Sequence, residues 1–112
     1  MQTLRHTVAF EKAAKVLSEE EMTAALETIA RNPLGGDVIP GTGGVRKLRV
    51  AASGRGKRGG ARVIYFYFDD RNPIYLLYAY AKNRESNLSA AQRNALGKVV
   101  AMIKSEMRGR QR

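Results

Sequence analysis

Seven basic residues lie between positions 46 and 62 with no acidic residue among them: Arg46, Lys47, Arg49, Arg55, Lys57, Arg58 and Arg62. Positive charge concentrated in so short a segment is typical of proteins that bind phosphates.

If the chain is an enzyme, its chemistry must depend on lysine, arginine and tyrosine, and RNA cleavage is compatible with that set. A 2′-hydroxyl attacks its adjacent phosphate when a base removes its proton, cations stabilise the phosphorane, and an acid protonates the leaving 5′-oxygen. Lysine can be the base if neighbouring cations lower its pKa, whereas arginine is a poor proton donor.

Other kinds of catalytic site are not indicated. The chain has no cysteine and one histidine, His6, and it shows no carboxylate pair, no metal-ligand spacing and no Ser/His/Asp set. We therefore expect no metal and no cofactor. The segment Gly54–Gly59 matches the GxGxxG pattern of dinucleotide sites, but a strand follows it where that site requires a helix. This loop is either a flexible hairpin connection or a mobile basic loop that grips a phosphate backbone.

Two predicted strands position the basic residues. Lys47 and Arg49 alternate with Leu48 and Val50 on a strand over Val45–Ala52, so the two cations share one face. Arg62 begins the next strand, on the far side of the basic loop. A solvated sheet face is the ordinary reason for such alternation. Clustered like charges destabilise a sheet unless an anion binds there, which favours a functional interpretation.

The remaining pattern predicts one α+β domain over residues 1–112 with a mostly antiparallel sheet. Capping boxes at Ser18/Glu21 and Ser89/Gln92 predict two helix starts, and Asn32-Pro33 ends the first of these helices. The other predicted elements are a short strand His6–Phe10, a helix beginning within Glu11–Val16, a loop Leu34–Gly44, the strands Ala61–Phe68 and Ile74–Lys82, an apolar helix stripe of Leu96, Val99, Val100, Ile103 and Met107, and a polar tail over residues 108–112.

Charge is distributed unevenly along the chain. Residues 1–45 carry four basic and six acidic side chains, whereas residues 46–112 carry sixteen and four, within a net charge of +10. Nucleic acid is the leading partner class, ahead of an acidic protein or a membrane surface. The N-terminus has no apolar run of signal-peptide length, and no segment reaches the roughly 20 apolar residues of a membrane span. We expect a soluble cytoplasmic protein with no membrane partner.

Three segments resemble a known family. These are DVIPGTGGVRKLR (37–49), GARVIYFY (60–67) and IYLLYAYAKN (74–83). Together with the element order, they resemble the RelE/ParE superfamily of toxins from bacterial type II toxin–antitoxin pairs, and most closely its HigB-like branch. The resemblance implies a small RelE-like fold with two N-terminal helices and one C-terminal helix. It also implies ribosome-dependent cleavage of mRNA, restrained by a cognate antitoxin that is a helix-turn-helix DNA-binding protein.

The resemblance also implies which residues act. Lys47, Arg49 and Arg62 would form the catalytic site, assisted by Lys82 or Arg84. The basic loop over residues 53–60 would contact ribosomal RNA through Arg55, Lys57 and Arg58. Arg46, on the strand before the loop, would contact it as well. RelE uses a tyrosine near its C-terminus, but here that region reads Leu88-Ser89-Ala90, and the histidine and aspartate of some HigB members are missing too. The general base and acid are therefore unassigned.

The alternatives to an mRNA-cleaving toxin are a ParE-like gyrase inhibitor without RNase activity and a plain nucleic-acid-binding module.

Overall fold

A computed structural model describes residues 3–50, 60–82 and 87–110, the last without its side chain. It confirms an α+β architecture. The elements are β1 (Leu4–His6), α1 (Val8–Ala13) followed by a single 3-10 turn (Ala14–Val16), α2 (Glu19–Arg31), β2 (Asp37–Val38), β3 (Val45–Val50), β4 (Ala61–Phe66), β5 (Ile74–Ala81) and α3 (Ala90–Arg110). The five strands form one sheet in the order β1-β5-β4-β3-β2. Only β1 runs parallel to its neighbour, β5, and the predicted antiparallel meander of β3, β4 and β5 is confirmed.

The first strand was predicted at the wrong position in the sequence. The strand ends at His6 instead of beginning there, and the segment predicted to be extended starts α1. Thr7 is the N-cap of α1, because its hydroxyl accepts a hydrogen bond from the Phe10 amide at 3.1 Å. Phe10 is then buried from a helix instead of a strand.

Both predicted capping boxes are present. The Ser18 hydroxyl accepts from the Glu21 amide, and the Glu21 carboxylate accepts from the Ser18 amide. Ser89 and Gln92 exchange the same two bonds at the start of α3. At its other end, α3 continues through Arg110, into the segment predicted as a polar tail. Within the described residues, no helix is both long and apolar enough to cross a membrane.

The sheet is buried on both faces, by different helices. One face packs against α1 and α2 through a cluster that includes Phe10, Ile29, Val63, Tyr65 and Leu76. The other packs against α3 through a cluster that includes Val45, Ile64, Phe66, Leu77, Leu96, Val100, Ile103 and Met107. Four of the five residues predicted for the apolar stripe of α3 are buried, whereas Val99 is 38% exposed.

Candidate functional site

Strand pairing brings three of the predicted cations onto one face of the sheet. Arg49 of β3 lies directly opposite Arg62 of β4, and Lys47 lies opposite Ile64. Because side chains alternate along a strand, Lys47, Arg49 and Arg62 all point to the face that α3 covers elsewhere. Directly opposite residues have Cβ atoms about 4.5–5.5 Å apart. We call these three residues the basic row.

The basic row lies where the apolar packing against α3 ends. Ile64 is fully buried in the cluster beneath α3, whereas Lys47, its partner on β3, is half-buried. Two pairs further along the two strands, at the next pair on the same face, Arg62 is half-buried and Arg49 is exposed. Like charges directly opposite each other on neighbouring strands are unfavourable in general, and a bound anion offsets such repulsion.

Lys82 lies at the same end of the sheet. It directly follows β5, and its amide donates to the Gly60 carbonyl at 2.9 Å, beside the Ala61–Ala81 pair. On β5, Tyr80 lies opposite Arg62 and is nearly fully buried. The other predicted site residues, Arg55, Lys57, Arg58 and Arg84, lie outside the described residues, as does most of the loop over residues 53–60.

Arg46 is not part of the basic row. It alternates with Lys47 and therefore lies on the face that packs against α1 and α2, opposite Tyr65. Its Nη1 donates to the carbonyls of Gly36 at 2.7 Å and Leu34 at 3.1 Å. These bonds hold the segment that leads into β2. The contact between Arg46 and RNA stays a prediction. The alternation of side chains along β3 is the sequence signal that distinguishes Arg46 from Lys47 and Arg49.

The Tyr65 hydroxyl binds the same segment, residues 33–36, through two hydrogen bonds. It donates to the Pro33 carbonyl at 2.8 Å and accepts from the Gly36 amide at 2.9 Å. A Cβ on Gly36 would come within 2.6 Å of this hydroxyl, so the close approach requires glycine. Burial raises the pKa of Tyr65 above its ordinary value, against the Gly36 hydrogen bond and the charge of Arg46, which lower it. The hydroxyl therefore stays protonated and can donate.

The β2–β3 connection is closed by Thr42, which is buried. Its hydroxyl donates to the Ile39 carbonyl at 2.6 Å and accepts from the Val45 amide at 3.1 Å. The Ile39 amide in turn donates to the Val45 carbonyl at 2.8 Å. Gly41 and Gly43 adopt φ values of 78° and 79°, which favour glycine. The connection is thus a hydrogen-bonded turn, although the sequence predicted only a loop there.

An open cleft of about 580 Å³ separates this turn from the start of α3. We call it the hairpin cleft. Lys47 and Tyr80 line it from the sheet, residues 37–41 from one side, and Asn87, Leu88 and Arg93 from the other. Sequence reasoning missed this cleft, because its two sides are about 50 residues apart along the chain and nothing local to either side indicates the other. Across residues 3–50, 60–82 and 87–110, no group of three or more His, Cys, Asp or Glu residues is arranged to hold a metal ion.

A family model described as the RelE toxin of the RelE/RelB toxin–antitoxin system matches residues 2–110. Among solved structures, a double arginine-to-alanine variant of the E. coli toxin RelE in the free state superposes with a TM-score of 0.55 at 13% identity, over 76% of this chain and 87% of that one. The toxin–antitoxin complex RelBE2 from Mycobacterium tuberculosis gives a TM-score of 0.48 at 19% identity, over 71% of this chain and 96% of that one.

Proposed function

The chain belongs to the RelE toxin family of type II toxin–antitoxin systems, and from that premise we propose that it is an endoribonuclease that cleaves mRNA on the ribosome and so stops translation. The observation that carries this proposal is the basic row, in which Arg49 and Arg62 are held opposite each other beside Lys47. We further propose that the chain belongs to the HigB-like branch, which its segments 37–49, 60–67 and 74–83 resemble.

The basic row suits the transition state of RNA cleavage. Attack by the 2′-hydroxyl gives a phosphorane that carries more negative charge than the phosphodiester, and preorganised cations stabilise that added charge. Arg49 and Arg62 supply two guanidinium groups, each able to donate two parallel hydrogen bonds to phosphate oxygens. Lys47 contributes a third charge from the edge of the hairpin cleft. Lys82 or Arg84 would act at the leaving 5′-oxygen, as the resemblance implies.

We propose two kinds of partner. The first is the ribosome with its bound mRNA, contacted by the basic loop of residues 53–60. The second is a cognate antitoxin with a helix-turn-helix DNA-binding domain. Because residues 46–112 carry sixteen basic and four acidic side chains, the antitoxin should be acidic where it binds. Both partners place the protein in the cytoplasm.

Induction of the protein in cells tests the proposal. Pulse-labelling of new protein and new DNA, together with sequencing of mRNA 5′ ends, should show that protein synthesis stops first and that new 5′ ends appear within translated codons. Co-expression of the antitoxin should prevent both effects. If DNA synthesis stops first while mRNA stays intact, the protein acts on gyrase as ParE-like toxins do, and the RNase proposal is wrong.

A further inference from the structure

We propose that one flank of α3 is a second RNA-binding surface, which binds the phosphate backbone of ribosomal RNA and holds the protein on the ribosome while the basic row acts on mRNA. This inference rests on the proposed function and adds to it a surface and the chemistry of its partner. We call this surface the α3 flank and define it by four cations: Arg93, Lys98, Lys104 and Arg108.

The four cations lie on one side of the helix. At about 100° per residue they fall within an arc of about 140°. The other residues of this arc are small: Ala90, Asn94, Gly97, Ala101 and Ser105. By the same geometry, the acidic Glu106 and the exposed Val99 and Met102 lie on the opposite flank. Cations separated by small residues let a phosphate backbone approach closely, whereas a protein interface would need apolar side chains at its centre.

The two helical layers of the domain also differ in charge. Residues 90–110 carry five basic and one acidic side chain, whereas residues 8–31, on the other face of the sheet, carry three basic and five acidic ones. A helix that is merely solvated commonly alternates the two signs. The asymmetry directs a large anionic surface such as ribosomal RNA to the side of the sheet that also carries the basic row.

Arg93 occupies a position that is unfavourable for the helix by itself. It lies in the first turn of α3, where the helix dipole is positive, and no acidic residue lies in that turn to balance it. By contrast, Arg108 lies near the other end, where a cation stabilises the helix. Arg93 lines the hairpin cleft together with Lys47. The α3 flank therefore begins beside the basic row and extends its positive surface along the helix.

The α3 flank is long and rigid enough to follow several phosphates. From Arg93 to Arg108 the helix rises by about 22 Å, at 1.5 Å per residue. Lys98 and Arg108 are exposed, and Arg93 and Lys104 are half-buried. Lys104 ties the helix to the β2–β3 turn, because its Nζ donates to the Gly43 carbonyl at 2.9 Å. The Arg93 Nη1 donates to the Leu88 carbonyl at 2.9 Å, which fixes the other end of the flank.

Ribosome binding at several salt concentrations tests the surface. Wild type and the double variant Lys98→Gln/Arg108→Gln would be titrated with bacterial ribosomes whose mRNA carries 2′-O-methyl groups in the A-site codon, so that binding is measured without cleavage. The matched control is Lys12→Gln/Lys15→Gln, which removes the same charge from exposed positions on the other side of the sheet. Circular dichroism checks that all variants are folded.

We expect the slope of log affinity against log salt to become shallower by about 1.5 in the α3 variant, since each lost phosphate contact removes about 0.7–0.9 from it. Its affinity near 0.1 M salt should fall by about tenfold, and the control should keep the wild-type slope. With unmodified mRNA, the α3 variant should raise KM for ribosomes at unchanged kcat, because it removes binding and leaves the basic row intact.

A gain of binding separates the surface from any effect on folding. Ala101→Lys adds a cation within the α3 flank and should strengthen ribosome binding, whereas Ala24→Lys adds the same charge to an exposed position on α2 and should not. Equal effects of the two substitutions would show that net charge alone matters, which contradicts the proposal.

The outcomes separate this surface from the proposed function. If wild type cleaves mRNA but the α3 variant keeps the wild-type salt slope, the surface is wrong while the function stands. If wild type binds ribosomes through the α3 flank but cleaves no mRNA, the surface stands and the RNase function fails. If wild type does not bind ribosomes, the surface fails. If the α3 variant keeps its ribosome affinity but no longer co-purifies with the co-expressed antitoxin, the flank belongs to the protein partner, and the proposal is overturned.

Discussion

The face of the sheet that packs against α3 has two halves with opposite character. In the covered half, Val45 and Phe66 are buried beneath the helix. In the basic half, the same strands carry Arg49 and Arg62, which are exposed and half-buried respectively. On each strand, the change occurs within four residues. The two halves therefore lie on the same strands but have different roles. The covered half stabilises the fold, and the basic half presents positive charge.

This difference shows how a small domain can maintain a cluster of like charges. The free energy of burial comes from the apolar clusters on the two faces of the sheet, so the repulsion between Arg49 and Arg62 is a local cost within a sheet stabilised elsewhere. Substitutions in the covered half should accordingly change stability, and substitutions in the basic half should change activity. The largest effect of this separation is expected on stability, in the covered half.

Phe66→Ala should reduce the free energy of unfolding by about 3–5 kcal/mol, because it leaves a cavity beneath α3. Phe66 is 2% exposed and contacts the α3 cluster. Urea denaturation measures the loss. Phe68→Ala is the matched control, because Phe68 is 40% exposed, and its cost should be clearly smaller. Cleavage per folded molecule should be unchanged in both variants; a specific loss of activity in folded Phe66→Ala would show that the two halves are coupled.

Arg62→Ala should lower the rate of mRNA cleavage by about 10²–10³-fold, the usual effect of removing one group that stabilises transition-state charge. Its free energy of unfolding should change by no more than about 1 kcal/mol, because the repulsion opposite Arg49 is removed together with the favourable contacts of the side chain. Arg71→Ala is the control, since Arg71 is exposed in the β4–β5 turn at the other end of the strands. A folded Arg62→Ala variant that cleaves at the wild-type rate would misplace the site.

Tyr65→Phe should cost about 1–3 kcal/mol, because it leaves the Gly36 amide and the Pro33 carbonyl without their buried partner. Burial raises the pKa of Tyr65, so its contribution is fully present below about pH 10 and is lost as pH rises through the folded pKa. Urea denaturation at pH 7 measures the cost. Tyr67→Phe is the control, since the Tyr67 hydroxyl donates to the exposed Asp70 carboxylate, and its effect should be much smaller. Equal effects would show that the Tyr65 hydroxyl does not anchor the segment before β2.

Local patterns in the sequence were sufficient for most of the fold and for the basic row. Alternation on β3 placed Lys47 and Arg49 on one face, and the short connection to Ala61 placed Arg62 beside them. The capping boxes predicted both helix starts correctly, because a capping box is formed by residues three positions apart. Such features depend on neighbours in the chain, which a sequence displays directly.

Features that depend on distant partners could not be predicted in this way. β1 is only three residues long and is specified by parallel pairing with β5, about 70 residues later, so the local alternation of Val8 and Phe10 suggested a strand at the wrong place. A register shift between Ile64 and Tyr65 changes which β5 residues lie opposite β4. The hairpin cleft has the same origin, because its sides come together only in the folded chain.

The smallest effect is expected in the turn that closes the covered half. The Asp69 carboxylate accepts from the Asn72 side chain at 2.8 Å and from the amides of Arg71 and Asn72 at 3.0 Å, and these bonds hold its pKa below the ordinary value, the Asn72 side chain most strongly. A lowered pKa means that the carboxylate stabilises the fold above about pH 4, the ordinary range for aspartate, and that this stabilisation is lost as pH falls through the folded pKa.

The variant Asp69→Asn keeps the acceptor oxygen but removes the charge. The difference in unfolding free energy between wild type and Asp69→Asn should therefore be constant near neutral pH and shrink below about pH 4. Asn72→Ala, which removes the strongest donor, should weaken that pH dependence. A difference that stays constant through the acid range in urea denaturation would mean that the carboxylate charge contributes nothing to the turn, and that its geometry depends on the acceptor oxygen alone.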